Sequence, residues 1–243
     1  MTQVEAGGVV FEVEGVAFDK DGTLIDLDAA WGPAARKWVE IAGGGDDSRV
    51  DDLAASLGLD LVTGRLVTGG IFAVGTVGQL QETTLEVLAS HGLAAADAQR
   101  IASEAATTSA IAGEAANLVA LGNVAGTFHT LKAAGLRLGI VSSDNRESID
   151  AAVAALGIGS FLDAVVSGDE GLDPKPAPDA LQQAARHMGV EPAHLLYVGD
   201  SWVDAAAGQA AGVAGTVLVG DPPLEARDVA SVVVPAVDSL RVV

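Results

Sequence analysis

From Asn123 onward the chain alternates short apolar runs with stretches whose apolar residues recur every three or four positions. That is the pattern of strands alternating with amphipathic helices. Val124 to Ala134 reads as a helix closed by Gly135, and Leu136-Arg137-Leu138-Gly139-Ile140-Val141 as a strand running into Ser142-Ser143-Asp144. Ile149, Val153 and Leu156 keep helical spacing before Gly157, and Ala164-Val165-Val166 forms a short strand. A helix from Pro178 to Met188 carries Leu181, Ala184, Ala185 and Met188 on one face and stops at Gly189. Leu195-Leu196-Tyr197-Val198 is the next strand, entering Gly199-Asp200-Ser201. A helix to Ala211, a terminating Gly212, and strands near Thr216 to Val219 and Ser231 to Val234 complete the series. Because these strands lack a period of two, both their faces are expected to be covered, which suits βαβ units around a mostly parallel sheet. Val16-Ala17-Phe18 is an earlier strand of the same kind.

The segment 29–113 breaks this rhythm. It holds helical patterns and glycine-rich interruptions at Gly43-Gly44-Gly45 and Gly69-Gly70, without a succession of strands, and reads as a mostly helical insertion. The core then comprises 1–28 and 114–243. Trp31 and Trp38, seven apart, share a helix face and are expected to pack the insertion, while Asp46 to Asp52 reads as a solvated acidic stretch.

Composition narrows the chemistry. With 243 residues the chain can bury a sizeable core, and with no cysteine it has no disulfide, thiol nucleophile or thiolate metal site. The absence of cysteine suits a reducing cytoplasm, where the protein is expected. The longest uncharged runs, Leu66 to Gln81 and Ala205 to Gly220, are only 16 residues long and rich in glycine, too short to span a bilayer. The amino terminus, Met1-Thr2-Gln3-Val4-Glu5, lacks the basic start and apolar stretch of a secretory signal, so none is expected. A formal charge of −20 opposes attraction to nucleic acid or anionic lipid. An anionic substrate would therefore need local positive charge, which carboxylates holding a divalent cation supply economically.

The candidate chemistry lies where strands end. Asp19-Lys20-Asp21-Gly22-Thr23-Leu24 sets two acids two apart just beyond Phe18, with Gly22 allowing a sharp turn. In an extended strand Asp19 and Asp21 would share a side and Lys20 would point away from both. Open α/β sheets bind ligands at this end of their strands. Asp19 could attack phosphorus and Asp21 could pass a proton to the leaving oxygen, with Mg²⁺ between Asp19 and Asp200 shielding the two negative partners. Ser142 and Ser143 offer hydroxyl and N–H groups to phosphate oxygens. Lys175, in Asp173-Pro174-Lys175-Pro176-Ala177-Pro178, is a cation beside a helix start. Gly199-Asp200-Ser201-Trp202-Val203-Asp204 puts two acids one helical turn apart. Each motif alone has a plainer structural reading: an Asp-Gly turn, a serine turn, a surface lysine, or Asp200 as a helix N-cap.

Taken in this order, the four motifs resemble those of the haloacid dehalogenase-like superfamily, in its phosphatase branch. The resemblance implies a Rossmann-like three-layer α/β/α core with a mostly parallel sheet, and an α-helical cap where the insertion lies. It also implies Asp19 as nucleophile through an aspartyl-phosphate, Asp21 as general acid and base, and Ser142 and Lys175 as phosphate-binding residues, with Ser143 beside them a further candidate from the strand end. The Mg²⁺ ligands would be Asp19, Asp200 and the main-chain carbonyl of Asp21, with Asp204 supporting the metal. True dehalogenases lack the second acid, so Asp21 argues for phosphate chemistry. The insertion after the first motif and the Lys-Pro-Ala-Pro pattern look most like the phosphoglycolate phosphatase group.

The expected activity is Mg²⁺-dependent hydrolysis of a small anionic phosphomonoester by a cytoplasmic monomer or homodimer with no nucleic-acid or membrane partner. A sugar-phosphate phosphomutase is the alternative, and a non-catalytic phosphate-binding module stands behind it. Arg36, Lys37, Arg49, Arg65 and Arg100 in the insertion, and Arg146 in the core, are the cations available to meet a second anionic group. His91, His129, His187 and His194 show no metal-ligand spacing and are expected to be structural or surface residues. Trp202 is the aromatic expected nearest the site.

Overall fold

A computed structural model describes residues 1–67, 69–114 and 118–243. Residues 115–117, which the sequence analysis assigns to the core, lie outside the described residues. The chain opens with strands β1 (Thr2–Ala6), β2 (Val9–Val13) and β3 (Gly15–Phe18). Five helices follow: α1 (Leu27–Gly43), α2 (Asp47–Leu57), α3 (Ile71–Val74), α4 (Val77–Ser90) and α5 (Ala95–Glu114). The remainder runs α6 (Val124–Ala133), β4 (Arg137–Val141), α7 (Arg146–Leu156), β5 (Ala164–Val166), α8 (Asp179–Met188), β6 (Leu195–Gly199) and α9 (Trp202–Ala211). It ends with β7 (Gly215–Val219), α10 (Leu224–Arg227), β8 (Val232–Val234) and β9 (Arg241–Val242). Two compact units result, one of Met1–Asp26 with Ala120–Val243, the other of Leu27–Val119, where the sequence pattern draws the insertion at 29–113.

The first unit is a six-stranded parallel sheet in the order β5-β4-β3-β6-β7-β8. This is the α/β class that the pattern predicts. Side-chain alternation divides each strand between two faces. Val16, Phe18, Leu138, Ile140, Leu196 and Val198 pack with Phe128 and Leu131 of α6 and Ile149 of α7. On the other face Ala17, Val141 and Tyr197 pack with Leu181, Ala184 and Met188 of α8 and Ala207 of α9. Both faces are buried, so the strands carry no polar side to mark them.

One feature of this unit has no counterpart in the predicted elements. β1 and β2 form a hairpin joined by Gly7 and Gly8, both at positive φ (54° and 86°), and β9 adds to β1, giving a small antiparallel sheet ordered β2-β1-β9. A two-residue turn with positive φ at both positions matches the twist of paired strands, and glycine reaches it without strain. Val4, Phe11 and Val13 from this hairpin join the same core as Val16 and Phe18.

The second unit is helical. Trp38 and Val39 of α1, Leu53 and Leu57 of α2, and Leu66 form its core, with Trp31 partly buried against it. The Trp38 indole N–H donates to Thr84 Oγ1 at 2.9 Å, which satisfies a buried polar pair. Asp46 caps α2, accepting from the N–H groups of Ser48 and Arg49, so the acidic stretch is a helix start. Among the described residues no helix is long and apolar enough to cross a membrane.

Phe18, the last residue of β3, stacks on Phe128 of α6 with ring centroids 4.6 Å apart, and both are fully buried. This contact seats the strand end that carries Asp19. Phe128→Ala is expected to cost about 3–5 kcal/mol of stability, read as a lower urea midpoint.

Candidate active site

β3 is the central strand, with β4 on one side and β6 on the other, so the chain crosses in both directions from it. Such a switch point leaves a crevice at the carboxyl ends of the strands. Register brings Phe18 level with Ile140 and Val198, and the Asp19 N–H donates to the Val198 carbonyl at 2.8 Å. Asp19, Ser142 and Asp200 therefore emerge along one edge. Lys175 comes from the loop between β5 and α8, and Asp204 from the first turn of α9.

These side chains meet. Lys175 Nζ lies 2.7 Å from Asp19 Oδ1, 2.7 Å from Asp204 Oδ1 and 3.2 Å from the Tyr197 hydroxyl, and Tyr197 in turn donates to Asp204 Oδ1 at 2.8 Å. Ser201 is the N-cap of α9. Its hydroxyl lies 2.5 Å from Asp204 Oδ2, and its main-chain N–H donates there at 3.1 Å. The N-cap alternative for Asp200 is thus corrected: the helix takes Ser201 instead, and the Asp200 carboxylate faces Gly22 and Thr23. Gly22 has φ 77°, and a Cβ there would collide with the Asp200 carboxylate. Position 22 therefore requires glycine for its backbone and for the space beside the acid.

Burial sets the acidities. It raises Asp19 from 3.8 to about 7, Lys175 pulling down against it while Asp204 and Asp21 push further up. Burial also lifts Asp200 well above the ordinary carboxylate value, with Asp204 and Asp19 adding to the shift. Asp204 is buried too, but the Lys175 charge and the hydrogen bonds from Lys175, Ser201 and Tyr197 outweigh that and hold its carboxyl low. For Lys175 burial opposes the charge, yet Asp19 and Asp204 raise its pKa well above the usual lysine value.

Lys20 corrects another expectation. It does not point away from both acids, because its Nζ contacts Asp21 Oδ1 at 3.0 Å, and also reaches Asp144 Oδ2 at 2.9 Å and Ser148 Oγ at 3.3 Å. Strand alternation ends at Phe18. Beyond it the Lys20 carbonyl accepts from the N–H groups of Leu24 and Ile25, and this turn swings Asp21 onto Lys20 while Asp19 joins Lys175. Ser142 is buried, its hydroxyl accepting from the Asp144 N–H at 3.2 Å, whereas Ser143 is exposed.

The remaining candidates are engaged elsewhere. Lys37, Arg49, Arg65 and Arg100 pair with Glu40, Asp46, Asp28 and Asp97 within the helical unit, and Arg36 donates to the Leu61 carbonyl. Arg146 pairs with Asp150. His91 meets Asp52, His194 lies near Glu14, and His129 packs edge-on to Phe161. Trp202, in the first turn of α9, is 41% exposed.

Carboxylate oxygens of Asp19, Asp200 and Asp204 lie within 4.8 Å of one another, the one such group of candidate metal donors among the described residues. Hard oxygen donors of this charge suit Mg²⁺. The donor chemistry fits a divalent cation, since three acids share the site with one lysine, and burial, with the neighbouring carboxylates adding to it, raises the pKa of Asp19 and Asp200.

The motifs, the parallel sheet and this site define a hydrolase class, and comparison with known proteins agrees. A family model described as haloacid dehalogenase-like hydrolase matches residues 13–212, and the chain belongs to that family. It is 38% identical over 86 residues to the pyrophosphatase PpaX of Bacillus velezensis, covering 35% of this chain and 40% of that protein. It is 39% identical over 90 residues to the phosphoglycolate phosphatase of Escherichia coli, covering 37% of this chain and 36% of that one. The matched stretch thus spans well under half the length of these relatives. Among solved structures, a predicted phosphoglycolate phosphatase from Haemophilus somnus superposes with a TM-score of 0.67 at 18% identity, covering 93% of this chain and 95% of that one. A β-phosphoglucomutase from Clostridium difficile gives 0.64 at 18% identity, covering 93% and 92%. The fold is common to both.

A carboxyl raised from 3.8 to about 7 stays protonated in the folded protein after the unfolded chain has released its proton. The folded state then binds more protons between those values, so the stability that Asp19 contributes falls as pH rises through that window. With EDTA present, Asp19→Asn, which cannot ionise, is expected to gain stability relative to the parent protein between about pH 5 and about pH 8. Urea midpoints at the two pH values measure this, and an unchanged difference would contradict it.

Proposed function

We propose that the protein is a Mg²⁺-dependent phosphatase that hydrolyses a small anionic phosphomonoester through an aspartyl-phosphate on Asp19. The observation that carries this reading is the Asp19 carboxylate at the switch point, 2.7 Å from Lys175 and grouped with Asp200 and Asp204. Asp19 Oδ attacks phosphorus as the bond to the ester oxygen breaks, and Asp21 delivers a proton to that oxygen. Asp21, now a carboxylate, takes a proton from water, which attacks the acyl phosphate and releases inorganic phosphate. Lys175, Ser142 and Ser143 hold the phosphoryl oxygens.

Asp19, Asp200 and the main-chain carbonyl of Asp21 would hold Mg²⁺, with Asp204 in support. When bound, Mg²⁺ supplies positive charge that lowers repulsion between an anionic nucleophile and an anionic substrate. Its charge beside Asp19 would also favour the ionised nucleophile against the burial that raises it. The likeness to phosphoglycolate phosphatases supports a short, anionic ester as substrate. The helical unit is assigned the role of a cap that selects the ester, and the cytoplasm is the compartment. Sugar-phosphate isomerisation is the second reading, supported by the structural likeness to a β-phosphoglucomutase.

Phosphate release from a panel of esters, with phosphoglycolate and pyrophosphate included, tests the proposal with Mg²⁺ or EDTA. Release is expected only with Mg²⁺, and Asp19→Asn is expected to lower it at least about a thousandfold. Full activity in Asp19→Asn would overturn the mechanism, and an isomerised sugar phosphate without net release would favour the mutase.

A further inference from the structure

Lys20 is the buried cation that the chemistry above leaves unused. Its side chain is only 2% exposed. Both carboxylate oxygens of Asp21 approach its ammonium, at 3.0 and 2.9 Å, and the Asp144 carboxylate lies 2.9 Å away on the other side. A buried ammonium is tolerated only with such partners, so each carboxylate is held in place as firmly as the lysine is.

Asp144 is itself anchored. Its Oδ1 accepts from the Asn145 N–H at 2.8 Å, its carbonyl from the Gly168 N–H at 2.7 Å, and its own N–H donates to Ser142 Oγ. Gly168 packs directly on the Ser143 carbonyl, where a Cβ could not fit. The loop after β4 is therefore a fixed post. Lys20 spans from that post to the loop after β3, where its own carbonyl closes the turn with Leu24 and Ile25.

We infer that Lys20 is a positioning residue for Asp21, its ammonium clamping the Asp21 carboxylate to the Asp144 post so that proton transfer to and from the reacting oxygens proceeds from one orientation. The inference rests on the reading of Asp21 as proton donor and acceptor. It separates Lys20 from a residue that merely fills space, because its loss affects steps that need a proton. An alkoxide must be protonated as it leaves, whereas p-nitrophenolate leaves without a proton.

The test uses the full chain with Lys20→Met and Lys20→Arg. With phosphoglycolate, or the best alkyl ester in the panel, Lys20→Met is expected to lower kcat at least about tenfold with KM changed less than about twofold. Lys20→Arg should restore most of that loss. The first-turnover release of p-nitrophenolate from p-nitrophenyl phosphate should fall less than about threefold. Equal losses with both esters, or a change confined to KM, would overturn the inference.

A second arm needs no turnover. Lys20→Met and Asp21→Asn, alone and combined, are compared in urea unfolding, and the combined change in the unfolding constant is expected to fall short of the product of the single changes by at least about threefold. Independent effects would overturn the clamp. If Lys20→Met does not fold, adding Asp144→Asn removes the stranded carboxylate and carries both arms. Absence of turnover in the parent protein counts against the phosphatase reading, and the unfolding comparison still decides for Lys20.

Discussion

The contact on which the site depends is the Lys175 ammonium lodged between Asp19 and Asp204, 2.7 Å from each, where all three are buried. Removing these charges from water is costly, and the arrangement persists because the ammonium lies against both Asp19 Oδ1 and Asp204 Oδ1. Tyr197 and Ser201 complete the set around Asp204 and keep it ionised. One lysine does not neutralise Asp19, Asp200 and Asp204 together. The remaining negative charge adds to the burial that raises the pKa of Asp19 and Asp200, and it is the physical reason the site suits a divalent cation.

The scaffold makes that concentration of charge possible. β3 is flanked on both sides by parallel strands whose backbone groups are paired, so Asp19 leaves a rigid edge. Alternation along the strands puts Ala17 and Tyr197 on the face of α8 and α9, which also brings Lys175 and Asp204 to Asp19. Position 199 is glycine because Asp204 packs against it without room for a Cβ, as Gly22 does against Asp200. Two nearby charge clusters result. Lys175 organises one around Asp19, and Lys20 organises the other around Asp21.

Much of the core was legible because its helices end at glycines and its strands are unbroken apolar runs, as at Leu195 to Val198 and Gly189. Strands and acids in the right order sufficed to expect Asp19, Lys175, Asp200 and Asp204 at one edge, where the structure brings them together. The amino-terminal hairpin escaped notice. Its signal was Gly7-Gly8 between two short β-prone runs, and the run Val9-Val10-Phe11 does not alternate cleanly. Strand periodicity does not place the Lys20 side chain, because the strand ends at Phe18 and the chain enters a turn. Tyr197 gave a usable hint as the chain's single tyrosine within an aliphatic strand, and Ser201 with Asp204 three residues on is a capping-box pattern. Which carboxylates lie within reach of which ammonium depends on loop conformation, and spacing along the chain does not encode that directly.

The most direct measurement is a calorimetric titration of the metal-free protein with Mg²⁺, beside Asp200→Asn. If the uncompensated carboxylates form a cation site, the parent protein binds one Mg²⁺ and the substitution weakens binding at least about tenfold. Equal binding by both proteins, or no binding by folded parent protein, would contradict the account.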